Sequence, residues 1–305
     1  MVRVACIGEC MIELSERADG TLSRSFGGDT LNTALYMARL GVEVDYVTAL
    51  GDDGWSEEMV TAWTGEGIGT GRVVRMAGRL PGLYVIQTDP KGERRFQYWR
   101  DRAAARDLFD QPGTPDLVEA LARDYGLLYL SGITLSLYGE VGRQRLFEAI
   151  DRARAGGARL AFDTNFRPRG WPEPEVARRA YRQTLDRSDI VLASTEDLDL
   201  LYGVQGEEKL LEGGRPKELA LKLAHPSCRV MKDGTDTVVD AAPVENVLDT
   251  TAAGDSFAAA YLAARLKGAD PEAAARAGHR LAGVVVQHRG AIIPRAAMPA
   301  TVFEA

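Results

Sequence analysis

The chain has 305 residues, enough for one large domain, with 45% hydrophobic and 27% charged residues, the balance of a soluble globular protein. Its formal net charge of −7 argues against a general nucleic-acid or anionic-membrane binder, because both need a basic face. No apolar run approaches the roughly 18–20 residues of a membrane span, and the alternating start MVRVACIGECMIEL reads as a strand and not as a signal peptide.

In chain order, VACIG (4–8) reads as a strand and TLNTALYMARLG (30–41) as a helix stopped by Gly41. The strand VDYVTALG (44–51) and the helix SEEMVTAWTGEG (56–67) follow. Beyond the middle come the strand-like runs GLLYLSG (126–132), RLAFDTN (159–165), DIVLAS (189–194) and CRVMKDG (228–234), with helical segments such as GRQRLFEAIDRARAGG between the first three. This alternation predicts a doubly wound α/β domain, its parallel strands joined by right-handed crossovers with helices on both faces. Two stretches break it. ECMIELSERADGTLSRSF (9–26) and GLYVIQTDPKGERRFQYWR (82–100) show period-two patterning, with turns at Asp19–Gly20 and Pro90–Lys91–Gly92. They predict a small separate sheet acting as a lid; an edge hairpin of the main sheet is the alternative.

The sparse, odd set Cys6, Cys10 and Cys228 fits a reducing cytoplasm with buried thiols, and Cys6 and Cys10 lack the partners to complete a metal site. The three histidines, His225, His279 and His288, show no metal-ligand spacing. The Walker A, dinucleotide and protein-kinase signatures are all missing, which argues against a nicotinamide-dependent oxidoreductase.

Chemistry concentrates in DTTAAGDSF (249–257), which opens a helix with Phe257, Tyr261 and Ala264 on one face and Gly268 at its end. Backbone N–H groups of a first turn free of bulky side chains make an anion site, and Asp255 stands beside it. A carboxylate there suits a base that takes a proton from an attacking alcohol in phosphoryl transfer. The alternative is a first-turn acid favoured by the helix dipole. In FGGDTLNTALYMARLG, the pair Gly27–Gly28 permits positive φ, and Asp29 and Asn32 offer polar groups to a polyhydroxy ligand or simply cap a helix. FDTNFRPRGW (162–171) places Asn165 and Arg167 after a strand's carboxyl end, where ligands bind in open sheets. In VMKDGTDT (230–237), Lys232 and Gly234 follow a strand, as a phosphate contact or as a plain turn.

These motifs resemble those of the ribokinase-like (PfkB) carbohydrate kinases, from end to end: FGGDTLNTALYMARLG is similar to the family's first motif and DTTAAGDSFAAAYL to its second, D-T-x-G-A-G-D. IGECMIELSE, LPGLYVIQTD, GERRFQYWRD and RGAIIPRAAMPA extend the similarity to members that act on keto-deoxy sugar acids. The resemblance implies a Rossmann-like domain, residues 1–305, with a β-sheet lid from insertions at about 9–26 and 82–102. It implies phosphorylation of the C6 hydroxyl of 2-keto-3-deoxy-D-gluconate by ATP with Mg²⁺, and leaves a monovalent cation open. Asp255 would be the base, with the N–H groups of Ala252, Ala253 and Gly254 as the anion hole. Substrate contacts would fall on Gly28, Asp29, Asn32, Tyr84, Tyr98, Arg100 and Arg167. Nucleotide contacts would fall on Asn165, Lys232, Gly234, Gly254 and His279. The family's N-x-x-E motif appears as Ser194-Thr195-Glu196-Asp197, with Asp197 the candidate for Mg²⁺ through water. Ala252 stands where the motif has glycine, a change an alanine in a helical first turn would tolerate. A sugar acid needs a cation; of Arg94, Arg95, Arg100, Arg102 and Arg106, Arg100 is the expected carboxylate partner and the other four a solvated face. By analogy a dimer forms through the lids. A kinase for another sugar, and a non-catalytic sugar sensor on the same fold, are the competing functions.

Overall fold

The computed structural model describes residues 2–17, 19–88, 94–212 and 216–303. The described strands are β1 (Val4–Ile7), β2 (Met11–Glu16), β3 (Leu22–Gly27), β4 (Val44–Leu50), β5 (Val73–Arg75), β6 (Gly82–Thr88), β7 (Arg94–Trp99), β8 (Leu127–Ser131), β9 (Arg159–Asp163), β10 (Ile190–Ser194), β11 (Glu218–Lys222), β12 (Ser227–Lys232) and β13 (Thr235–Asp240). Nine of them form one sheet in the order β13-β12-β11-β10-β9-β8-β1-β4-β5. From β5 to β11 every pairing is parallel.

Strand residues alternate between two cores, as side chains on opposite faces of a pleat must. Val4 and Cys6 join one cluster with Leu31, Tyr36, Phe257, Tyr261 and Leu281, from helices Asp29–Arg39, Ala253–Leu266 and Pro271–Val285. Ala5 and Ile7 join the other with Leu121, Leu146, Ile150 and Tyr181, from helices Thr114–Asp124, Glu140–Ala155 and Pro174–Leu185. Helices therefore cover both faces, the doubly wound arrangement read from the alternation. One strand departs from it. β12 was grouped with the buried parallel-type strands, yet it runs antiparallel to both β11 and β13. A two-strand reversal reads locally like any other apolar run, so its direction was not legible.

The four remaining strands form a separate sheet, order β3-β2-β6-β7, and not an edge hairpin of the main sheet. β2 and β6 are parallel, with Glu13 opposite Tyr84; the β2–β3 and β6–β7 pairs are antiparallel. At the Asp19–Gly20 turn, Gly20 has φ +80 and Thr21 N–H donates to Asp19 Oδ1 at 2.9 Å. The expected Pro90–Lys91–Gly92 turn lies outside the described residues. Because β2 begins just after the carboxyl end of β1, the small sheet starts at the edge of the main sheet where loops converge.

Candidate active site

The helix Ala253–Leu266 begins at that carboxyl edge and carries Asp255 in its first turn. Asn32, on Asp29–Arg39, donates its amide to Asp255 Oδ2 at 2.8 Å, across 223 residues of sequence. Thr33 adds a bond from its hydroxyl to the Asp255 carbonyl at 3.3 Å. The loop before the helix is tied down by Asp249, which is buried. Its Oδ1 accepts from the Thr251 N–H and hydroxyl, and its Oδ2 from the Gly290 N–H at 2.8 Å.

Two details of the expected anion hole differ in the structure. Ala252 is not in the first helical turn: it precedes the helix with φ 59 and ψ 16, the left-handed region that favours glycine. The N–H of Ala253 already donates to the Thr250 carbonyl at 3.2 Å. The N–H groups of Gly254 and Asp255, at the second and third helical positions, have no partner within the helix by geometry alone. Gly27 and Gly28 also serve differently from the reading above. Neither has positive φ, Gly28 being extended at φ 179. Both are needed for close approach: a Cβ on Gly28 would collide with the Glu9 carbonyl, and one on Gly27 with the Tyr84 hydroxyl.

Carboxylates crowd this floor. Desolvation pushes the Asp255 carboxyl up to about 7, with Asp29 and Asp163 adding to the shift while Asn32 and Lys222 oppose it. Asp163, 2% exposed at the end of β9, is raised to about 6, again chiefly by desolvation. Its Oδ2 lies 3.7 Å from Lys222 Nζ, and its Oδ1 has no hydrogen-bond partner. Burial alone would lower the Lys222 ammonium, but Asp163, Asp197 and Asp255 together hold it above its usual value.

Beside the floor opens a cleft of about 1420 Å³, between the small sheet and the loop after β9. Gly28, Asp29, Tyr98, Arg100 and Arg167 all line it. Arg100 is ion-paired with the buried Glu9, whose carboxyl is raised by desolvation against the pull of Arg100. Arg167 reaches Asp197 Oδ1 at 3.2 Å and remains 58% exposed in its side chain, free to turn toward a ligand. Tyr84 is buried, donates to Glu13, and touches Tyr98 ring to ring at 5.7 Å. Arg95 and Arg106 also line the cleft, Arg95 remaining exposed and Arg106 half-buried; the Arg94 side chain lies outside the described set.

The proposed nucleotide residues divide. Asn165, at φ 26, donates to Asp29 Oδ2 at 2.8 Å, which ties it to a residue that lines the cleft. His279 packs edge-on against Phe257 at 5.2 Å and pairs with the Val239 carbonyl at 3.0 Å, close behind the first turn. Lys232 and Gly234 are misplaced by the sequence reading. Since β12 is antiparallel, Lys232 pairs with Glu218 at the amino end of β11, whereas Lys222 pairs with Cys228 at the carboxyl end. Lys232 lines a separate crevice with Arg154 and Asp189, at the opposite edge of the sheet from Asp255. Glu9, Asp163 and Lys222 were missed as site residues. Each sits at or just past the end of a parallel strand, the rule that did find Asn165 and Arg167.

Among the described residues no group of three or more His, Cys, Asp or Glu is arranged to hold a metal. Asp197 accepts from Thr164 at 3.0 Å as well as from Arg167. One carboxylate so engaged fits Mg²⁺ that keeps its waters and rides on substrate phosphates, and does not fit an all-protein cage.

The model of the pfkB family of carbohydrate kinases matches residues 1–298. A 2-dehydro-3-deoxygluconokinase of Escherichia coli K12 is 45% identical over 308 residues, spanning 98% of this chain and 99% of its own length. One from Dickeya dadantii is 44% identical over 307 residues, with 97% and 98% coverage. Among solved structures, a fructokinase with bound ATP from Xylella fastidiosa superimposes with a TM-score of 0.81 at 26% identity, over 97% of this chain and 95% of that one.

Proposed function

The chain belongs to the pfkB family of carbohydrate kinases, and from that premise we propose that it transfers the γ-phosphoryl group of ATP to the C6 hydroxyl of 2-keto-3-deoxy-D-gluconate. The observation that carries this reading is the similarity, at 44–45% identity over nearly the whole chain, to two 2-dehydro-3-deoxygluconokinases, joined to a cleft lined by arginines beside the Asp255 floor. A sugar acid placed in the cleft has Arg100 and Arg167 for its carboxylate, guanidinium being suited to bidentate pairing. Asp29, Asn165 and the Tyr98 hydroxyl supply polar partners for its hydroxyls. Its terminal hydroxyl then points at Asp255. That carboxyl, raised to about 7, is basic enough to accept the proton as the oxygen attacks phosphorus. The free N–H groups at the head of the 253–266 helix face the charge that develops on the phosphoryl oxygens. Asn32 fixes the carboxylate's orientation. Mg²⁺, when bound with ATP, neutralises phosphate charge, and Asp197 would hold its water shell.

The small sheet acts in this proposal as a lid over the cleft, excluding water from the reacting groups. It also offers exposed Phe96, Tyr98 and Trp99 to a second copy of the chain, which supports a dimer through the lids. Three buried free cysteines are consistent with work in a reducing cytoplasm. A coupled ADP-release assay with the sugar acid, its C4 epimer and fructose decides the substrate. Turnover of 2-keto-3-deoxy-D-gluconate is expected, and Asp255→Ala abolishes it while leaving sugar binding measurable. Strong turnover of fructose with none of the sugar acid would refute the assignment.

A further inference from the structure

Lys222 is the last residue of β11, and its partner across the sheet is Ser194, the capping residue of the helix Thr195–Tyr202 that carries Asp197. Its side chain is 21% exposed, so most of the ammonium is withdrawn from water. A buried ammonium requires partners for its three donors. The only carboxylate within 4 Å among the described residues is Asp163, and 3.7 Å is too long for a good hydrogen bond. Donor capacity therefore remains, and the ammonium lies beside Gly254. A Cβ built on Gly254 would stand 3.4 Å from Lys222 Nζ. The ammonium thus overhangs the backbone at the second position of the helix, beside the N–H groups that make the anion hole and one residue from the base.

We propose that Lys222 is a further catalytic residue, donating a hydrogen bond to the phosphoryl group as it passes from the nucleotide to the sugar. The proposal rests on the kinase reading above. In the step, the acceptor oxygen forms the new bond to phosphorus and its proton goes to Asp255. The bond from phosphorus to the β,γ-bridging oxygen breaks, and its electron pair leaves with ADP. Lys222 keeps all its protons and answers the charge that builds on the equatorial oxygens, charge that backbone dipoles alone meet less well in a site crowded by Asp163, Asp197 and Asp255. Gly254 keeps this approach open: a methyl there would just touch the ammonium, and a longer side chain would compete with it for the same space.

The competing role is a structural counter-ion for Asp163, and the test separates the two. Lys222→Met keeps the length of the side chain and removes its charge. It should lower kcat by about 10²–10³-fold, the loss typical of one anion-hole donor. Calorimetry with ADP alone, and with ADP plus tetrafluoroaluminate in the presence of the sugar, should show unchanged ADP affinity and loss of the extra tightening that the phosphoryl mimic confers on the wild type. Lys222→Arg, which keeps a cation, should recover part of kcat, and it carries the same comparison if the Met variant does not fold. The proposal is overturned if Lys222→Met retains kcat within about threefold, or loses ADP and ADP–tetrafluoroaluminate affinity equally. It is overturned equally if Asp163→Asn combined with Lys222→Met restores the wild-type rate. Were the wild type to phosphorylate a different sugar, the substrate assignment would fail alone, and the same measurements would run on that sugar.

Discussion

Asp255 is a carboxyl whose neighbours pull it both ways, and that makes it testable residue by residue. As the proposed base it works only when unprotonated, so the acid limb of kcat should follow its ionisation. Asp29 raises the pKa of Asp255, and Asp29→Asn should move the limb to lower pH. The Asn32 bond lowers it, and Asn32→Leu should move the limb to higher pH. Profiles of kcat against pH at saturating sugar acid check both; limbs that shift together would remove Asp255 as their source. Stability follows with the opposite sense from an ordinary salt-bridged carboxylate. Because the folded carboxyl lies above its unfolded value of 3.8, the folded state holds an extra proton between about pH 4 and 7, and stability falls as pH rises through about 7. Asp255→Asn should therefore melt higher than wild type at pH 8, with the difference shrinking toward pH 4, while turnover is lost. Ala252 carries the other residue-scale consequence. Left-handed backbone costs an alanine about 1–2 kcal/mol, and glycine's extra freedom in the unfolded chain offsets about 0.5–1 kcal/mol. Ala252→Gly should stabilise by up to about 1 kcal/mol in denaturant melts, whereas β-branched Ala252→Val should destabilise.

At the scale of elements, the reacting head of the 253–266 helix is positioned by the helix packed behind it. Gly278, on Pro271–Val285, lets the two approach: a Cβ there would lie 2.6 Å from the Phe257 ring. Phe257 is itself two residues past Asp255 and stacks on Tyr261 at 6.0 Å. Gly278→Ala should destabilise by about 1–3 kcal/mol through overpacking and reduce kcat by tilting the first turn, read from urea melts and the coupled assay. The loop Gly290–Ile293 locks the same assembly. Tyr36 donates to the Ala291 carbonyl at 2.7 Å and accepts from the Ile293 N–H, while Arg39 holds the Ile293 carbonyl at 2.7 Å. The RGAIIP stretch, read from the sequence only as part of a resemblance, thus acts as the clip that joins helix Asp29–Arg39 to the Asp249 loop. The two substrate-side helices are held to each other before any ligand arrives, a form of preorganisation.

For the whole molecule, the two sheets divide the work. The central strands of the nine-stranded sheet are buried, and its carboxyl edge delivers Asp163, Lys222 and the 253–266 helix head. The small sheet contributes Tyr84, Tyr98 and, just past β7, Arg100, on a platform with exposed aromatic rings. Phe96 is 39%, Tyr98 47% and Trp99 59% exposed, more apolar ring surface than a lone small sheet gains by leaving in water. Sedimentation should find the chain at twice its 33.1 kDa mass, and Trp99→Lys with Phe96→Lys, one on each face of β7, should return it to single mass; a monomeric wild type would remove the lid dimer.

The sequence by itself determined what local chemistry and periodicity can carry. The alternation of buried runs and amphipathic helices pointed to a parallel sheet covered by helices on both faces, because such strands must hide both faces from water. DTTAAGDSF marked Asp255 and the N–H groups beside it as the candidate site, since small residues before a helix expose N–H groups wherever the helix ends up. The period-two segments 9–26 and 82–100 marked a second sheet. Only the tertiary structure decided matters set by direction and long-range contact. The reversal of β12 moved Lys232 and Gly234 to the far edge and left Lys222 at the near one, and strand direction leaves no mark on a six-residue apolar run. The burial of Glu9 against Arg100, and the bond from Asn32 to Asp255, join segments 91 and 223 residues apart, which no local pattern encodes. The left-handed turn at Ala252 was hidden for a related reason: alanine does not signal positive φ, and the Asp249 bonds to Thr251 and Gly290 that hold the turn exist only once the chain has closed around it.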